Sequence, residues 1–364
     1  MTASSCDDDV RVSRRPARRS RRALPLVASI LGACVLTGTG TALAAPEPPD
    51  LSPTAPLGGS RVAASVPTSA YLPGTTCRAF PADSWWHADV SRLGVNARSA
   101  AWLSHMQATT RRLHADFGPS YGAQPVPYGI PITVVNAAPR VAVRFGYPDE
   151  SDRVRYPLGT STRIEGGSTA TGDRHAIVVD KATCTLFETW DTHKYSSGWY
   201  AGSGAVWSLG SDALRRAGWT SADAAGLPIL PGLLRYDEVA AGHVDHAIRF
   251  TTNVTDRTYL WPARHQAGSV CDRSYPPMGA RFRLKASYPI SSFSPQAQVV
   301  LRAMKTYGLV LADNGSPWFF QGTSDTRWSS TLVSALGSVP ASAFEAVDTA
   351  PLMISSSSGA ARRR

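Results

Sequence analysis

Short segments in which apolar and polar residues alternate dominate the chain from about residue 130 to residue 312. Many are rich in β-branched side chains, and Gly, Pro, Asn and Asp separate them, which is typical of β-strands joined by turns. The predicted strands are residues 130–135, 141–145, 176–179, 185–190, 204–209, 247–251, 281–286 and 309–312.

Helical periodicity is confined to a few stretches. Asn96 can cap a helix over residues 97–113, in which Trp102, Met106 and Leu113 fall on one face. Ser294 and Pro295 begin a second helix that ends before Gly308, and shorter helices are predicted at 232–241 and 330–336. Since strands and helices do not alternate regularly, we expect a mainly β (α+β) protein with a β-sandwich or jelly-roll-like core and peripheral helices.

The two ends of the chain differ from its body. Arginines crowd residues 11–22, an apolar run follows, and Ala42-Leu-Ala44 fits a signal-peptidase site, so residues 1–44 are predicted to be a signal peptide. Residues 45–76 read as a disordered spacer, 77–348 as a single globular β-rich domain and 349–364 as a disordered tail. The expected location is extracellular, after Sec or twin-arginine export. Anchoring through a lipid on Cys34 is a less favoured alternative.

Charge and hydropathy narrow the possible partners. Most of the formal net charge of +10 comes from arginines at the two ends, so the body lacks the basic surface that nucleic-acid binding requires. After the leader, no apolar run approaches the length of a membrane span. We expect a monomer that binds no nucleic acid and has no stable membrane span.

Three cysteines follow the leader: Cys77, Cys184 and Cys271. Export favours a disulfide. Cys184 lies in an apolar strand pattern that suits a small core residue, and Cys77 and Cys271 lie in loop-like sequence, so their pairing is preferred, although the sequence cannot decide it.

The segment from Glu165 to His193 holds the densest group of ionisable residues. Its glycines, Gly167 and Gly172, match the first half of a phosphate-binding loop, but Asp173-Arg174 replaces the required Lys-Ser/Thr. We therefore interpret the segment as a β-hairpin at a cleft and not as a nucleotide site.

Strand parity divides the acids of this hairpin. Glu188 and Trp190 share one face of the second strand, and Asp191 lies on the other. A carboxylate beside an indole is desolvated, which suits a general acid. Glu188, Asp191 and the more distant Asp223 are therefore the candidate catalytic carboxylates, although ordinary salt bridges at strand ends and a helix cap at Asp223 would also explain them.

Other polar and aromatic residues are candidates for substrate binding. Ten tryptophans stand after the leader, and exported proteins of this composition often stack sugar rings on indoles. The candidate binding residues are Asp173, His175, Trp190, Trp199, Arg264 and His265. No cofactor is expected and no metal ligand is assigned, although a site built from His175, His243, His246 and His265 remains an alternative.

Three blocks, residues 172–180, 217–238 and 277–285, resemble a widespread family of exported bacterial single-domain proteins that is common in actinobacteria. The resemblance implies export and one domain, and it supplies no catalytic residue.

The leading hypothesis is an extracellular carbohydrate-active enzyme that acts on a polysaccharide or cell-wall glycan. A glycoside hydrolase with paired carboxylates is favoured over a polysaccharide lyase. The alternatives are a non-catalytic secreted glycan-binding protein and a metal-dependent enzyme.

Overall fold

The computed structural model describes residues 71–121, 126–167 and 169–362. The predicted signal peptide and most of the predicted spacer lie outside these residues. No helix within the described ranges is long and apolar enough to cross a membrane.

Strands are the main element of the described chain. In chain order they are β1 (His114–Asp116), β2 (Gly118–Tyr121), β3 (Val126–Tyr128), β4 (Ile132–Val135), β5 (Val143–Phe145), β6 (Ala176–Asp180), β7 (Thr185–Trp190), β8 (His193–Tyr195), β9 (Gly198–Ala201), β10 (Ser203–Ser208), β11 (Ile248–Thr252), β12 (Arg281–Leu284), β13 (Leu309–Asn314), β14 (Phe319–Gln321) and β15 (Phe344–Val347).

The helices are few: α1 (Ser99–His105), α2 (Tyr236–Ala241), α3 (Pro295–Thr306) and α4 (Ser330–Gly337), with single 3-10 turns such as Leu230–Gly232. The protein is therefore mainly β with an α+β, sandwich-like arrangement, as the sequence predicts.

The largest sheet has six strands in the order β1-β14-β11-β13-β12-β15. It is mixed, because β11 runs parallel to β13 while β12 is antiparallel to both β13 and β15. Phe250, Phe282, Trp318 and Phe344 pack together on it as part of the largest apolar core.

A four-stranded sheet in the order β10-β7-β6-β4 forms a second layer. One face of its β6–β7 hairpin packs Ile177 and Leu186 with Ile229 and Leu230 from the loop before α2. The opposite face packs Val178 and Phe187 with residues that include Tyr156 and Trp199, which stands on the three-stranded sheet β5-β9-β8. Side chains of the hairpin therefore alternate between two faces as predicted, and both faces are packed against other parts of the protein.

Helix α3 matches its sequence signals closely. Ser294 Oγ accepts a hydrogen bond from the Ala297 N–H, Pro295 fills the first turn, and Gly308 takes a left-handed backbone with φ of 75° just after the end. Helix α1 is much shorter than the predicted 97–113, because Gln107 adopts a left-handed φ of 57° shortly after it and the chain continues in turns.

A disulfide joins Cys77 to Cys184, with an S–S distance of 2.01 Å and Cα atoms 5.4 Å apart. The preferred pairing of Cys77 with Cys271 is therefore wrong. Cys184 does not lie within a strand: it sits in the tight β6–β7 turn with φ of 47°, where its side chain can reach the segment before β1. The sequence pattern could not reveal that turn.

The carboxy-terminal segment packs against the body, whereas the sequence predicts a disordered tail from residue 349. Ala350–Leu352 form a 3-10 turn, and Leu352 is buried. Ser358 and Ala360 make isolated bridges to Ala213 and Ser84. Such backbone pairing fixes the segment because a polar, serine-rich sequence can be held by main-chain hydrogen bonds without large apolar side chains.

Candidate functional site

A cavity of about 390 Å³ lies beside the end of β7, the loop around residues 220–224 and the end of β13. Its ionisable lining residues are Glu150, Asp173, Asp223, His265 and Asp313, and Tyr147 and Trp190 supply aromatic rings. Acidic groups therefore predominate over basic groups on the described lining.

Strands β11 and β13 bring a buried arginine to the cavity floor. The two strands are parallel, and their register steps from the pair Phe250–Leu311 to the pair Thr251–Asp313 through an irregularity. Arg249 Nη2 lies 3.5 Å from Asp313 Oδ2. The same nitrogen lies 3.2 Å from Oδ2 of Asp223, which comes from the loop before α2. Two carboxylates thus converge on one guanidinium.

The two carboxylates differ in their access to solvent. The Asp223 side chain is 0% exposed, whereas the Asp313 side chain is 25% exposed. Both residues contribute to the lining of the cavity. Asp313 is therefore the member of the pair that a bound molecule can contact, and Asp223 supports it from beneath.

Burial and mutual repulsion keep these acids protonated at higher pH than usual. Desolvation raises the pKa of Asp223 to about 7, the positive charge of Arg249 opposes that rise, and the negative charge of Asp313 adds to it. Burial also raises the pKa of Asp313, again opposed by Arg249, and the nearby Asp173 raises it further. Asp223 can thus hold a proton close to neutral pH, and the pKa of Asp313 is shifted in the same direction.

Arg249 is fully buried, and its donors are not satisfied by the described protein. Nε, Nη1 and Nη2 have no hydrogen-bond partner there, and neither does Asp223 Oδ2. The ion-pair contacts are close enough for charge attraction but not aligned for hydrogen bonds. Buried polar atoms are nearly always bonded, so a cluster of unsatisfied ones is unusual for a packed protein interior.

Glu188 lies in the interior behind the lining. Both of its oxygens accept the Ile229 N–H, at 3.1 and 2.8 Å, and Oε1 also accepts the Leu230 N–H at 2.8 Å. Desolvation raises its pKa to about 7, while these two main-chain donors and Arg249 act in the opposite direction. Its side chain is completely buried and absent from the cavity lining, so it does not have the direct access predicted for a catalytic residue.

His175 is also interior, where it pairs with Glu165. Its Nδ1 lies 2.6 Å from Glu165 Oε2, and its Nε2 lies 3.2 Å from the Ala222 carbonyl. Desolvation lowers the pKa of His175, but the Glu165 charge and hydrogen bond outweigh it and raise the pKa to about 9. His175 therefore supports the loop that carries Asp223. This interior position does not fit the direct contact with substrate that the sequence predicts.

Asp191 stands away from the cavity lining. Its Oδ1 lies 2.7 Å from His193 Nε2, and both side chains are partly exposed. The backbone explains the difference: β7 ends at Trp190, which lines the cavity, and Asp191 follows it with a left-handed φ of 52°, so its side chain leaves the strand. The structure does not bring Asp191 together with Asp223, and its predicted catalytic role is not supported by this geometry.

The remaining predicted binding residues divide into two groups. Asp173, Trp190 and His265 line the cavity, and the Trp190 indole N–H donates to Asp173 Oδ1 at 3.3 Å. Trp199, on β9, is buried against Val178 and Phe187, and Arg264 donates to the main-chain oxygens of Arg215 and Ser356. Packing and main-chain bonding account for that second group.

No protein-family model, curated protein or solved structure matches this chain. The function is therefore argued from the cavity itself.

Metal binding was an alternative based on the scattered histidines. Within the described ranges, no three His, Cys, Asp or Glu side chains are grouped so that they could hold a metal ion. His246 instead pairs with Glu238 at 3.1 Å and is fully buried.

Sequence reasoning missed Asp313, Arg249, Glu150 and Tyr147. Arg249 stands inside the fully buried strand β11, and Asp313 is the next-to-last residue of β13. A charged residue within a buried strand pattern is a usable signal, because its burial demands a compensating partner. The sequence does not show that the two strands are neighbours.

Proposed function

We propose that the protein is an extracellular hydrolase that cleaves glycosidic bonds in a polysaccharide or cell-wall glycan. In this proposal Asp313 donates a proton to the leaving-group oxygen, and Asp173 is the opposing carboxylate. Asp223 and Arg249 are positioning residues that control the protonation of Asp313 from below the cavity floor.

The observation that carries the proposal is that Asp313 and Asp173, two of the four carboxyl groups on the described lining, stand at the same cavity. Asp313 has a raised pKa and a partly exposed side chain, and the negative charge of Asp173 contributes to that rise. Glycoside hydrolysis requires this combination, a protonated carboxyl group and a second carboxylate at the same bond. Asp173 and Asp313 both line the cavity.

The proposed reaction follows from these positions. Asp313 transfers its proton to the glycosidic oxygen as the bond from the anomeric carbon to that oxygen breaks. Asp173 supports the positive charge that develops on the sugar ring and assists water to complete the hydrolysis. The donated proton stays in the hydroxyl of the leaving group. Water adds to the anomeric carbon and loses a proton to Asp173, and exchange with solvent returns a proton to Asp313, so the enzyme ends unchanged.

The cavity wall supplies contacts suited to a sugar ring. Trp190 and Tyr147 lie with ring centroids 6.3 Å apart and tilted by 35°, and both line the cavity. Indole and phenol rings pack against the apolar faces of sugars, while Glu150, His265 and Asn314 provide polar atoms at the same cavity.

The test compares two cavity variants with a matched surface variant. Asp313→Asn and Asp173→Asn should each lower the release of reducing ends from purified bacterial cell-wall glycan, xylan or chitin by at least about 100-fold. Asp83→Asn alters an exposed aspartate outside the cavity lining and should retain the wild-type rate.

Wild-type hydrolysis by a folded Asp313→Asn variant would refute the assignment. If the wild-type chain binds a glycan without cleaving it, and Trp190→Ala abolishes that binding, the protein is a glycan-binding protein, the alternative that the Tyr147–Trp190 wall favours.

A further inference from the structure

A row of aromatic side chains extends from the cavity across the outer face of the three-stranded sheet. We define this aromatic strip as Trp190, Tyr147, Tyr200, His193 and Tyr195. Trp190 and Tyr147 belong to the cavity wall, and the other three residues stand on β8 and β9.

The register of β8 and β9 explains why the strip faces outward. His193 pairs with Tyr200, and Lys194 pairs with Trp199. Trp199 is buried against the layer below, so the alternating residues His193, Tyr195 and Tyr200 point to the opposite face. Tyr195 is 48% exposed and Tyr147 is 58% exposed. Large aromatic residues are thus left partly in solvent although the sheet has a buried face available.

The strip is continuous with the cavity. The Tyr200 hydroxyl lies so near Gly146 that a Cβ there would be 2.6 Å from it, which places Tyr200 beside Tyr147. From Tyr200, ring centroids are 6.2 Å to His193 and 6.5 Å to Tyr195. His193 and Tyr195 stack with their centroids 5.6 Å apart. These three rings therefore form a compact triangle on the sheet face, next to the two rings of the cavity wall.

Asp191 holds one ring of the strip in place. Its carboxylate contacts His193 Nε2 at 2.7 Å, and this contact fixes the imidazole beside Tyr195. The acid that the sequence indicates as a catalytic residue is therefore a positioning residue for the surface next to the cavity.

We propose that the aromatic strip binds the continuing chain of a polysaccharide whose cleaved unit lies in the cavity, so that the protein acts on polymers. The cleavage step rests on the proposed function; the binding step does not. Phenol rings stack on sugar faces, and the exposed side chains of Tyr147 and Tyr195 present hydroxyls that can bond sugar hydroxyls.

The experiment measures binding separately from cleavage. The full chain and its variants are run in native gels that contain soluble xylan, arabinogalactan or mixed-linkage β-glucan, and retardation gives the dissociation constant. Tyr195→Ala should weaken binding of the retained polymer by roughly tenfold, since an aromatic contact contributes about 1 kcal/mol or more. Tyr195→Phe should keep most of the affinity because it retains the ring.

Tyr71→Ala is the matched control, since Tyr71 is 43% exposed and lies outside the strip. Its affinity should equal that of the wild type. Equal affinity of wild type and Tyr195→Ala, or no retardation of the wild-type chain by any of the three polymers, overturns the aromatic strip as a polysaccharide site. Failure of the proposed function is read separately, from unchanged hydrolysis in Asp313→Asn.

Discussion

Glu188 illustrates how one buried carboxyl group can be held without a directly bonded cation. Its oxygens receive hydrogen bonds from two consecutive main-chain N–H groups, of Ile229 and Leu230. The charge of Arg249 acts on it only through space, and desolvation raises its pKa to about 7. The folded protein therefore holds a proton here that the unfolded chain releases at lower pH.

Replacing Glu188 should reveal this proton as a pH-dependent change in stability. Between pH 4.5 and about 7 the folded state binds more protons than the unfolded state, so this group makes the wild type less stable as pH rises. Glu188→Gln lacks the group. The difference in the free energy of unfolding, variant minus wild type, should therefore be larger at pH 8 than at pH 5, by up to about 3 kcal/mol. Urea denaturation at both pH values measures the difference.

Glu345→Gln is the control, because Glu345 lies on β15 outside this cluster. Its difference from wild type should change much less between the two pH values. An equal effect of Glu188→Gln at pH 5 and pH 8 would show that Glu188 is already ionised across this range.

At this scale the sequence predicted some positions and missed others. Strand parity correctly placed Glu188 and Trp190 on one side of β7, because it needs only local alternation. The loop sequence around residues 219–238 also indicated Asp223, which lines the cavity. Arg249 and Asp313 could not be found in this way, since their meeting depends on a long-range pairing of β11 with β13 and on its shift in register.

Among the elements, the β6–β7 hairpin connects the disulfide to the site. Its turn carries Cys184, bonded to Cys77, and its other end carries Trp190 and lies next to Asp173. The bridge ties the amino-terminal segment of the described chain to the closed end of the hairpin.

Removing this bridge should destabilise the protein considerably. The two cysteines are 107 residues apart, so the bond closes a long loop in the unfolded chain and reduces its entropy. Cys77→Ala combined with Cys184→Ala should lower the free energy of unfolding by about 4 kcal/mol, measured by urea denaturation at constant pH. Thr183→Ala, in the same turn, should cost less than about 1 kcal/mol. A double variant as stable as Thr183→Ala would contradict the prediction.

Element boundaries were predictable where the signals are local. Strand β7 was predicted at its observed bounds, and α3 was recognised from its cap and its terminal glycine. The short strands β1, β14 and β15 were missed, because three or four residues contain too little alternation and gain their order from neighbours in the six-stranded sheet. Helix α1 was overestimated, since periodicity continued beyond the left-handed turn at Gln107.

For the whole molecule, the carboxy-terminal segment completes the packing of distant parts of the chain. The Trp85 N–H donates to the Gly359 carbonyl, and the Trp261 indole N–H donates to the Ser358 carbonyl. Leu352 contributes a buried side chain to the largest core. The composition suggested disorder because the segment has few apolar residues. Main-chain hydrogen bonds cannot be predicted from composition.

Deleting residues 349–364 should therefore weaken the body. Loss of the buried Leu352 side chain and of main-chain bonds at Trp85 and Ser84 should cost about 3 kcal/mol or more, which corresponds to a thermal midpoint lower by about 5 °C or more. Differential scanning calorimetry measures the shift. Deletion of residues 363–364 alone is the control and should leave the midpoint within about 1 °C of the wild type. An unchanged midpoint after the longer deletion would mean that the segment contributes nothing to stability.

The pairing of Ser84 with Ala360 also sets an order of events during synthesis. Residues near the two ends of the described chain must meet, so this part of the protein cannot reach its final packing until Ala360 has been synthesised and has left the ribosome. Until then the segment around Ser84 lacks its partner, and a chaperone can engage the incompletely packed chain.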